Sequence, residues 1–196
     1  MAGKPKDVLF HICCGPCAAY PLGALLPGEG LAVVGLWYNP NVHPYQEYRR
    51  RLEALRELAR RDRLDIVWRD EYPLSSWLAA AVEADASRTA SALDGRESGH
   101  APRCLFCYLD RLRAAAEEAR RQGAAAFSTT LLVSPYQNHG LVTALGEKVA
   151  GESGVPFYYR DLRPHWRDTV ERAKSLGLYR QPYCGCVFSE HARYGG

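Results

Sequence analysis

The sequence predicts an α/β protein built on a doubly wound, mostly parallel sheet of five strands. Short apolar runs alternate with amphipathic stretches along nearly the whole chain, which is the pattern of strands and helices in turn. Strands that alternate with helices are joined by right-handed crossovers, so helices cover both faces of the sheet. In addition, all seven cysteines fall into three tight groups, which are Cys13-Cys14-x-x-Cys17, Cys104-x-x-Cys107 and Cys184-x-Cys186.

Five apolar runs define the predicted strands, at residues 8–12, 31–38, 64–68, 125–129 and 156–159. A short helix to about residue 26 follows the first strand. The second strand is followed by a helix whose apolar face is formed by Tyr48, Leu52, Leu55 and Ala59. Further helices are expected at residues 73–83, 104–122, 139–152 and 166–176. Pro73 suits a first helical turn, and Gly123 and Gly177 stand just beyond two predicted helix ends.

The order of the strands is predicted from one long connection. Two helices and a loop separate the third and fourth strands, so we expect the chain to return there to the middle of the sheet. The resulting order, 3-2-1-4-5, is Rossmann-like (of the HUP type), in a single domain over residues 1–196. The loop at residues 85–102 is interpreted as mobile, either a lid or a plain insertion. Residues 178–196 form a cysteine-rich C-terminal segment.

The predicted topology also locates a binding site. Doubly wound sheets bind ligands beyond the carboxyl ends of the strands, where the strand order reverses. That point lies between the first and fourth strands. Cys13 and Cys14 directly follow the first strand, and residues 129–135 follow the fourth.

Composition is that of an ordinary globular protein, with 47% apolar and 24% charged residues. No apolar run approaches the roughly 20 residues needed to span a bilayer, and the N-terminal residues do not resemble a secretion signal. We therefore expect a cytoplasmic protein, in which clustered cysteines stay reduced and bind metal or carry out redox chemistry.

The net charge of +3 does not by itself indicate a nucleic-acid partner, but the charge is unevenly distributed. Residues 49–63 contain seven arginines and three acidic residues. This stretch has two interpretations. It is either a solvated helix face crossed by ion pairs, or a ridge that contacts phosphates through Arg49, Arg50 and Arg51.

The three cysteine groups indicate a metal centre. Cys104 and Cys107 lie three residues apart at the start of a helix, so their thiols face the same way, as in zinc sites and redox pairs alike. Cys13 and Cys14 are neighbours that would point to opposite sides of an extended chain, which favours an iron–sulfur cluster over one small ion. The Cys184-Gly-Cys186 pair either forms a strained, redox-active disulfide or binds a second metal.

Five motifs resemble those of a known family, the epoxyqueuosine reductases of the QueH type. They occur in the same order and span residues 7–189. The motifs are Phe10-His11-Ile12-Cys13-Cys14-Gly15-Pro16-Cys17, Tyr38-Asn39-Pro40-Asn41, Arg103-Cys104-x-x-Cys107, Thr129-Thr130-Leu131-Leu132-Val133-Ser134-Pro135-Tyr136 and Gly177-Leu178-Tyr179-Arg180-Gln181-x-Tyr183-Cys184-Gly185-Cys186.

The resemblance implies an oxidoreductase that needs no cobalamin and reduces epoxyqueuosine to queuosine at the wobble position of tRNA. It implies a [4Fe-4S] cluster, whose ligands by position are Cys13, Cys14, Cys104 and Cys107. Cys184 and Cys186 correspond to a pair that is redox-active or binds an additional iron ion. Some members of the family carry aspartate where this chain has Cys17, so Cys17 is either a ligand of a second iron or a bystander. An external electron donor is also required.

Further site residues follow from motif position. The candidate proton donors are His11, Tyr136, Asp161 and Tyr183, and the candidate catalytic residues are Cys17, Cys184, Cys186, Tyr136 and Asp161. His11 also fits a hydrogen-bonded core histidine, because it alternates with apolar residues of the first strand. The single-stranded anticodon loop of the tRNA would be bound by Tyr38, Asn39, Arg49, Arg50, Arg51, Arg103 and Arg180.

Two other functions compete with this one. ATP-dependent tRNA-thiolating enzymes use a similar sheet, but they need a phosphate loop of backbone N–H groups after the first strand. Here Pro16, which lacks an N–H, occupies that place, so ATP use is disfavoured. The second competitor is a zinc-stabilised RNA-binding module, which metal analysis would distinguish.

Overall fold

A parallel sheet forms the centre of the protein, whose computed structural model describes residues 6–87 and 101–195. Within those residues the sheet has four strands, in the order β3-β2-β1-β4 and all parallel. Their bounds are Val8–His11 (β1), Val33–Trp37 (β2), Ile66–Trp68 (β3) and Ala126–Thr129 (β4). The doubly wound α/β class predicted from the sequence is thereby confirmed.

Strand β1 lies between β2 and β4 and sets the register of both. Val8 is opposite Val33 and Ala126, and His11 is opposite Leu36 and Thr129. All four residues of β1 are buried, as expected for a central strand covered on both faces. The residues after His11 therefore leave the sheet beside the carboxyl ends of both neighbouring strands.

The predicted fifth strand, residues 156–159, is reduced to an isolated parallel bridge between Phe127 and Phe157. The amide of Phe127 donates to the carbonyl of Pro156 at 2.9 Å, and the amide of Tyr158 donates to the carbonyl of Phe127 at 2.8 Å. The hydroxyl of Ser128 then donates to the carbonyl of Tyr158, and the amide of Tyr159 bonds back to Phe157. These bonds turn the chain away from β4, so a longer ladder cannot form.

The two faces of the sheet are covered by different helices. The helices are Gly15–Ala19 (α1), Leu26–Gly28 (α2), Tyr45–Asp62 (α3), Leu74–Ala86 (α4), Pro102–Gln122 (α5), His139–Ser153 (α6), Trp166–Ser175 (α7) and Val187–Tyr194 (α8). Helices α5 and α6 cover the face that contains Leu9, while α1, α3 and α7 cover the face that contains Phe10. Short π- and 3₁₀-helical turns occupy Pro21–Leu25, Thr130–Val133 and Arg163–His165.

The helix ends differ from the prediction mainly around the predicted loop at 85–102. Helix α4 continues to Ala86 and α5 already begins at Pro102, while residues 88–100 lie outside the described residues. Helix α5 ends at Gly123, whose φ of 66° glycine adopts without strain. Helix α8, within the C-terminal segment, was not predicted, because eight residues of mixed polarity give no clear period. None of the helices described in the structure is both long and apolar enough to cross a membrane.

The contact between α6 and the bridge segment gives a stability test. A methyl group at Gly146 would overlap the ring of Phe157, which packs at a tilt against Phe127 with the ring centres 5.3 Å apart. We expect Gly146→Ala to lower the free energy of unfolding by about 1–3 kcal/mol through overpacking. Gly151→Ala lies on the same helix with open space around it, so it should stabilise by about 0.5–1 kcal/mol.

Urea denaturation of both variants measures these changes. Equal stability of Gly146→Ala and wild type would show that the bridge segment is not held against α6.

Candidate metal centre

The first cysteine group lies at the carboxyl end of β1. Cys14 is the N-cap of α1 and its sulfur accepts the amide of Cys17 at 3.4 Å. The sulfurs of Cys13, Cys14 and Cys17 all lie within 4.8 Å of one another, and those of Cys13 and Cys14 are 3.8 Å apart. The prediction that the two neighbours point apart is wrong, because the chain turns from strand into helix at Cys14 and brings both thiols to one side.

The Gly15-Pro16 step serves helix packing. A methyl group at Gly15 would lie 3.0 Å from the backbone of Ala54 in α3, so the glycine permits close approach of α1 and α3. Pro16 occupies the first turn of α1, where its missing N–H is tolerated. Pro16 therefore contributes no N–H group to the first turn of α1.

One thiol of this group is favoured as thiolate. Hydrogen bonds from the thiols of Cys14 and Cys17 and from the hydroxyl of Thr130 hold the pKa of Cys13 well below its usual range. The Thr130 oxygen is 3.3 Å from the sulfur, and it also accepts the amide of Cys13 at 3.0 Å. Burial raises the pKa of Cys14, and hydrogen bonds to Cys13 and Cys14 raise that of Cys17. These shifts favour Cys13 as the first thiol of the group to lose its proton, and thiolate is the form that binds metals.

The other four cysteines form a second group. Cys104 and Cys107 lie in the first turns of α5, and the side chain of Cys186 packs with Cys107 and Trp77. Burial raises the pKa of Cys104, and raises that of Cys107 to about 12, and the negative charge of Cys184 and Cys186 raises both further. Two cysteine pairs almost 80 residues apart in sequence therefore lie together. All seven cysteines are free thiols.

Two polar side chains, the half-buried Gln181 and the buried Arg111, connect these groups. Gln181 donates its amide to the sulfur of Cys14 at 2.9 Å. Arg111 is only 2% exposed and donates to both the carbonyl and the sulfur of Cys107, at 3.0 and 3.1 Å. It is also close enough to Cys13 for the two charges to interact. Gln181 and Arg111 thus link the other cysteine groups to the thiols that follow β1.

The charge of Arg111 tests whether these residues suit an anionic metal centre. Among residues 6–87 and 101–195 no carboxylate forms an ion pair with it, although a buried guanidinium needs a negative partner. Thiolates, or a metal cluster ligated by them, supply that charge, so the donor set fits such a group. Within the same residues, however, Cys13, Cys14 and Cys17 form the compact set of three ligands, and Cys104 and Cys107 do not join it.

The candidate proton donors lie in four different environments. His11 is a buried core histidine that bonds to Thr129 at 2.9 Å, and burial lowers its pKa to about 3. Asp161 is paired with Arg163 at 2.7 Å, which lowers its pKa to about 2 and disfavours it as an acid. The hydroxyl of Tyr183 donates to the carbonyl of His43 at 2.6 Å. Tyr136 is 80% exposed, with its ring edge against Trp166.

Two of the predicted RNA-contacting residues are wrong, because they are buried and fully engaged. Arg51 is 2% exposed and bonds inside the protein to Glu47, Tyr183 and Cys184. Asn39 is 1% exposed and donates to the carbonyl of Ile12 at 2.8 Å. Neither side chain can reach a phosphate without unfolding the surrounding structure.

The other predicted RNA contacts are nearer the surface. Arg50 and Arg180 are exposed. Arg49 pairs with Glu53 at 2.8 Å, Arg103 pairs with Asp85 at 2.6 Å, and the hydroxyl of Tyr38 bonds to Asp110 at 3.3 Å. Most exposed arginines of α3 are likewise ion-paired, which favours the solvated-face interpretation for that helix. Those pairs are Arg49 and Arg56 with Glu53, and Arg60 and Arg61 with Glu57.

Sequence reasoning missed three residues of the site. Arg111 stands one helical turn after Cys107, a spacing that could have identified it. Gln181 lies inside the C-terminal motif, three residues before Cys184. Gln137 accepts the hydroxyl of Tyr108 at 2.7 Å and has its amide 3.7 Å from the sulfur of Cys184. No signal in the sequence indicated Gln137.

Comparison with known proteins identifies the family. Residues 8–192 match the family model described as epoxyqueuosine reductase QueH. The protein of that name from Dehalococcoides mccartyi is 37% identical over 191 residues, which cover 97% of this chain and 96% of that protein. The one from Thermotoga maritima is 33% identical over 187 residues, covering 93% and 89%. The one from Helicobacter pylori is 33% identical over 190 residues, covering 93% and 49%. The family match extends over the sheet and all three cysteine groups, and the chain therefore belongs to the QueH family of epoxyqueuosine reductases.

Proposed function

We propose that this protein reduces epoxyqueuosine to queuosine in tRNA, without cobalamin. The compact set of free thiols at Cys13, Cys14 and Cys17, in a member of the QueH family, is the observation that carries the proposal. The reaction breaks both C–O bonds of the epoxide, leaves a C=C double bond, and releases the oxygen as water. It consumes two electrons and two protons.

The proposed ligands of a [4Fe-4S] cluster are Cys13, Cys14, Cys104 and Cys107. The lowered pKa of Cys13 and the position of the buried Arg111 cation beside the sulfur of Cys107 support this set. When bound, the cluster supplies electrons one at a time, and an additional iron at Cys17 or at the C-terminal pair would act as a Lewis acid. Arg111 balances the negative charge, while Thr130 and Gln181 orient the sulfurs of Cys13 and Cys14.

Cys184 and Cys186 are the proposed redox pair. Oxidation of the two thiols to a disulfide releases two electrons and two protons, which is the amount that the epoxide requires. An external donor then reduces the disulfide again. Cys184 is exposed and Cys186 half-buried against Cys107, so one thiol faces the entering substrate while the other faces the metal centre.

The proposed partner is the anticodon loop of a tRNA in the cytoplasm. Single-stranded RNA binds through aromatic side chains on which bases stack and through basic side chains. Tyr136 is exposed, and the next residue, Gln137, reaches the sulfur of Cys184. Exposed arginines accompany it, with Arg163 and Arg167 on the Trp166 side and Arg50 and Arg180 near the C-terminal motif. We assign Tyr136 to base stacking, since its exposure does not suit a proton donor.

A zinc site is the second candidate, because of one distance. Tetrahedral zinc with Zn–S bonds of about 2.3 Å holds its sulfurs about 3.8 Å apart. The sulfurs of Cys13 and Cys14 have that separation. Zinc would leave four thiols outside the compact group without a role, so iron is the first candidate.

Metal analysis distinguishes the two. We expect protein purified without oxygen to contain iron and acid-labile sulfide in about equal amounts, and Cys13→Ser and Cys104→Ser each to lose both. Lys148→Ala, an exposed residue paired with Glu152 at 3.1 Å on α6, should keep the wild-type content. Colourless protein with zinc and no sulfide would contradict the iron–sulfur proposal.

The activity is tested on tRNA that carries epoxyqueuosine. Nucleoside mass spectrometry after incubation with reduced protein, in the absence of cobalamin, should show conversion to queuosine. Cys104→Ser should abolish it, while Lys148→Ala should not change it. Full turnover by Cys104→Ser would remove this cysteine from the mechanism.

The role of Tyr136 is decided by two substitutions. Tyr136→Ala should raise the KM for tRNA roughly tenfold, because base–aromatic stacking contributes about 1–3 kcal/mol. Tyr136→Phe keeps the ring and should stay within about twofold of wild type in both kcat and KM. A loss of about a hundredfold in kcat for Tyr136→Phe would instead identify the hydroxyl as a proton donor.

A further inference from the structure

We infer that Arg51 is a positioning residue that anchors the C-terminal cysteine loop, residues 181–186, at the metal centre. Its consequence for turnover rests on the proposed function, but the anchoring itself does not. The residue lies in α3, about 130 positions before the loop, in a stretch whose arginines otherwise face solvent.

Arg51 donates hydrogen bonds from all three nitrogens of its guanidinium. One terminal nitrogen donates to the carbonyl of Cys184 at 2.8 Å, and the other donates to the carbonyl of Tyr183 at 3.0 Å. The Nε atom donates to Glu47 at 2.7 Å. The guanidinium also lies 5.6 Å from the centre of the Tyr183 ring. Adjacent carbonyls of one loop are thus held by the planar fork of one side chain.

Glu47 keeps this fork in place. Its carboxylate and the Arg51 side chain are both almost completely buried, with exposures of 5% and 2%. The second carboxylate oxygen accepts the hydroxyl of Tyr179, which lies just ahead of the loop. Because a buried ion pair requires close geometry, Arg51 has little freedom to swing towards another partner.

Gly185 is shaped to receive the guanidinium. A methyl group there would lie 2.9 Å from a terminal nitrogen of Arg51 and 3.3 Å from Val42. Its φ of 143° is, in addition, a conformation that other residues rarely adopt. The glycine between the two cysteines therefore allows the close approach that Arg51 requires.

The segment before α3 also forms hydrogen bonds with this loop. The amide of His43 donates to the carbonyl of Gly185 at 2.7 Å, and the carbonyl of His43 accepts the hydroxyl of Tyr183. Three consecutive carbonyls, those of residues 183–185, are thus bound by donors from residues 43–51. The backbone is fixed while the Cys184 side chain remains exposed.

Hydrogen exchange tests the anchoring in the full-length protein as purified. In Arg51→Met, the amides of residues 179–186 should exchange about tenfold faster, since two charge-assisted hydrogen bonds are lost. Peptides from α5 report on global unfolding and should not change. Arg60→Met is the matched control, because Arg60 is exposed on the same helix and its side chain pairs with Glu57. Unchanged exchange in Arg51→Met would overturn the proposal.

Arg51→Lys tests the planar shape of the guanidinium separately from its charge. Lysine keeps the charge but cannot bind two adjacent carbonyls in one plane, so its loop should exchange as fast as in Arg51→Met. Wild-type exchange in Arg51→Lys would overturn the proposal.

Gly185→Ala disturbs the same contact from the loop side. If Arg51→Met unfolds globally, wild-type loop exchange in Gly185→Ala overturns the proposal and faster exchange supports it.

Kinetics show whether anchoring matters for turnover. We expect kcat of Arg51→Lys to fall about tenfold while the KM for tRNA stays constant, because the guanidinium is buried away from RNA. A higher KM with constant kcat would identify Arg51 as an RNA contact and overturn the proposal. If wild-type protein converts no epoxyqueuosine, the proposed function fails, yet the exchange measurements still decide the anchoring.

Discussion

The parallel pairing of β1 with both β2 and β4 is the constraint on which the site depends. Because β1 is buried between its neighbours, the residues after His11 must leave the sheet where β4 also ends. There the Thr130 hydroxyl accepts the amide of Cys13 and donates to its sulfur. The first thiol of the site is thereby positioned directly beyond the hydrogen bonds that hold the sheet together.

Charge compensation is the second physical requirement. Positive charge nearby helps clustered thiols to lose their protons, whereas burial favours the neutral form. Two buried arginines supply that charge. Arg111 contacts the sulfur of Cys107, and Arg51 lies near Cys14 while it binds the carbonyls of the C-terminal cysteine loop. The charge of each arginine therefore opposes the effect of burial on the pKa of the thiol beside it, and Arg51 also connects distant parts of the chain.

Alternation of apolar runs was sufficient to predict the sheet class, the order of its first four strands and most helices. It failed at residues 156–159, where a side chain of β4 bonds to the carbonyl that a ladder would need. It failed also at α8, whose short length gives no clear period. The sequence around Arg51 was equally misleading, because an arginine among other arginines of one helix gives no sign that its side chain is buried.

The sequence by itself determined that Cys13 and Cys14 would lie at the carboxyl end of the sheet, because strand order and motif position follow from local patterns. Only the tertiary structure decided which thiols share a group and which cations face them. Helical period identifies the face on which Arg51 lies, but not that a loop some 130 residues later covers it. Close packing and neutralisation of buried charge make that choice, and both act between segments that no local pattern relates.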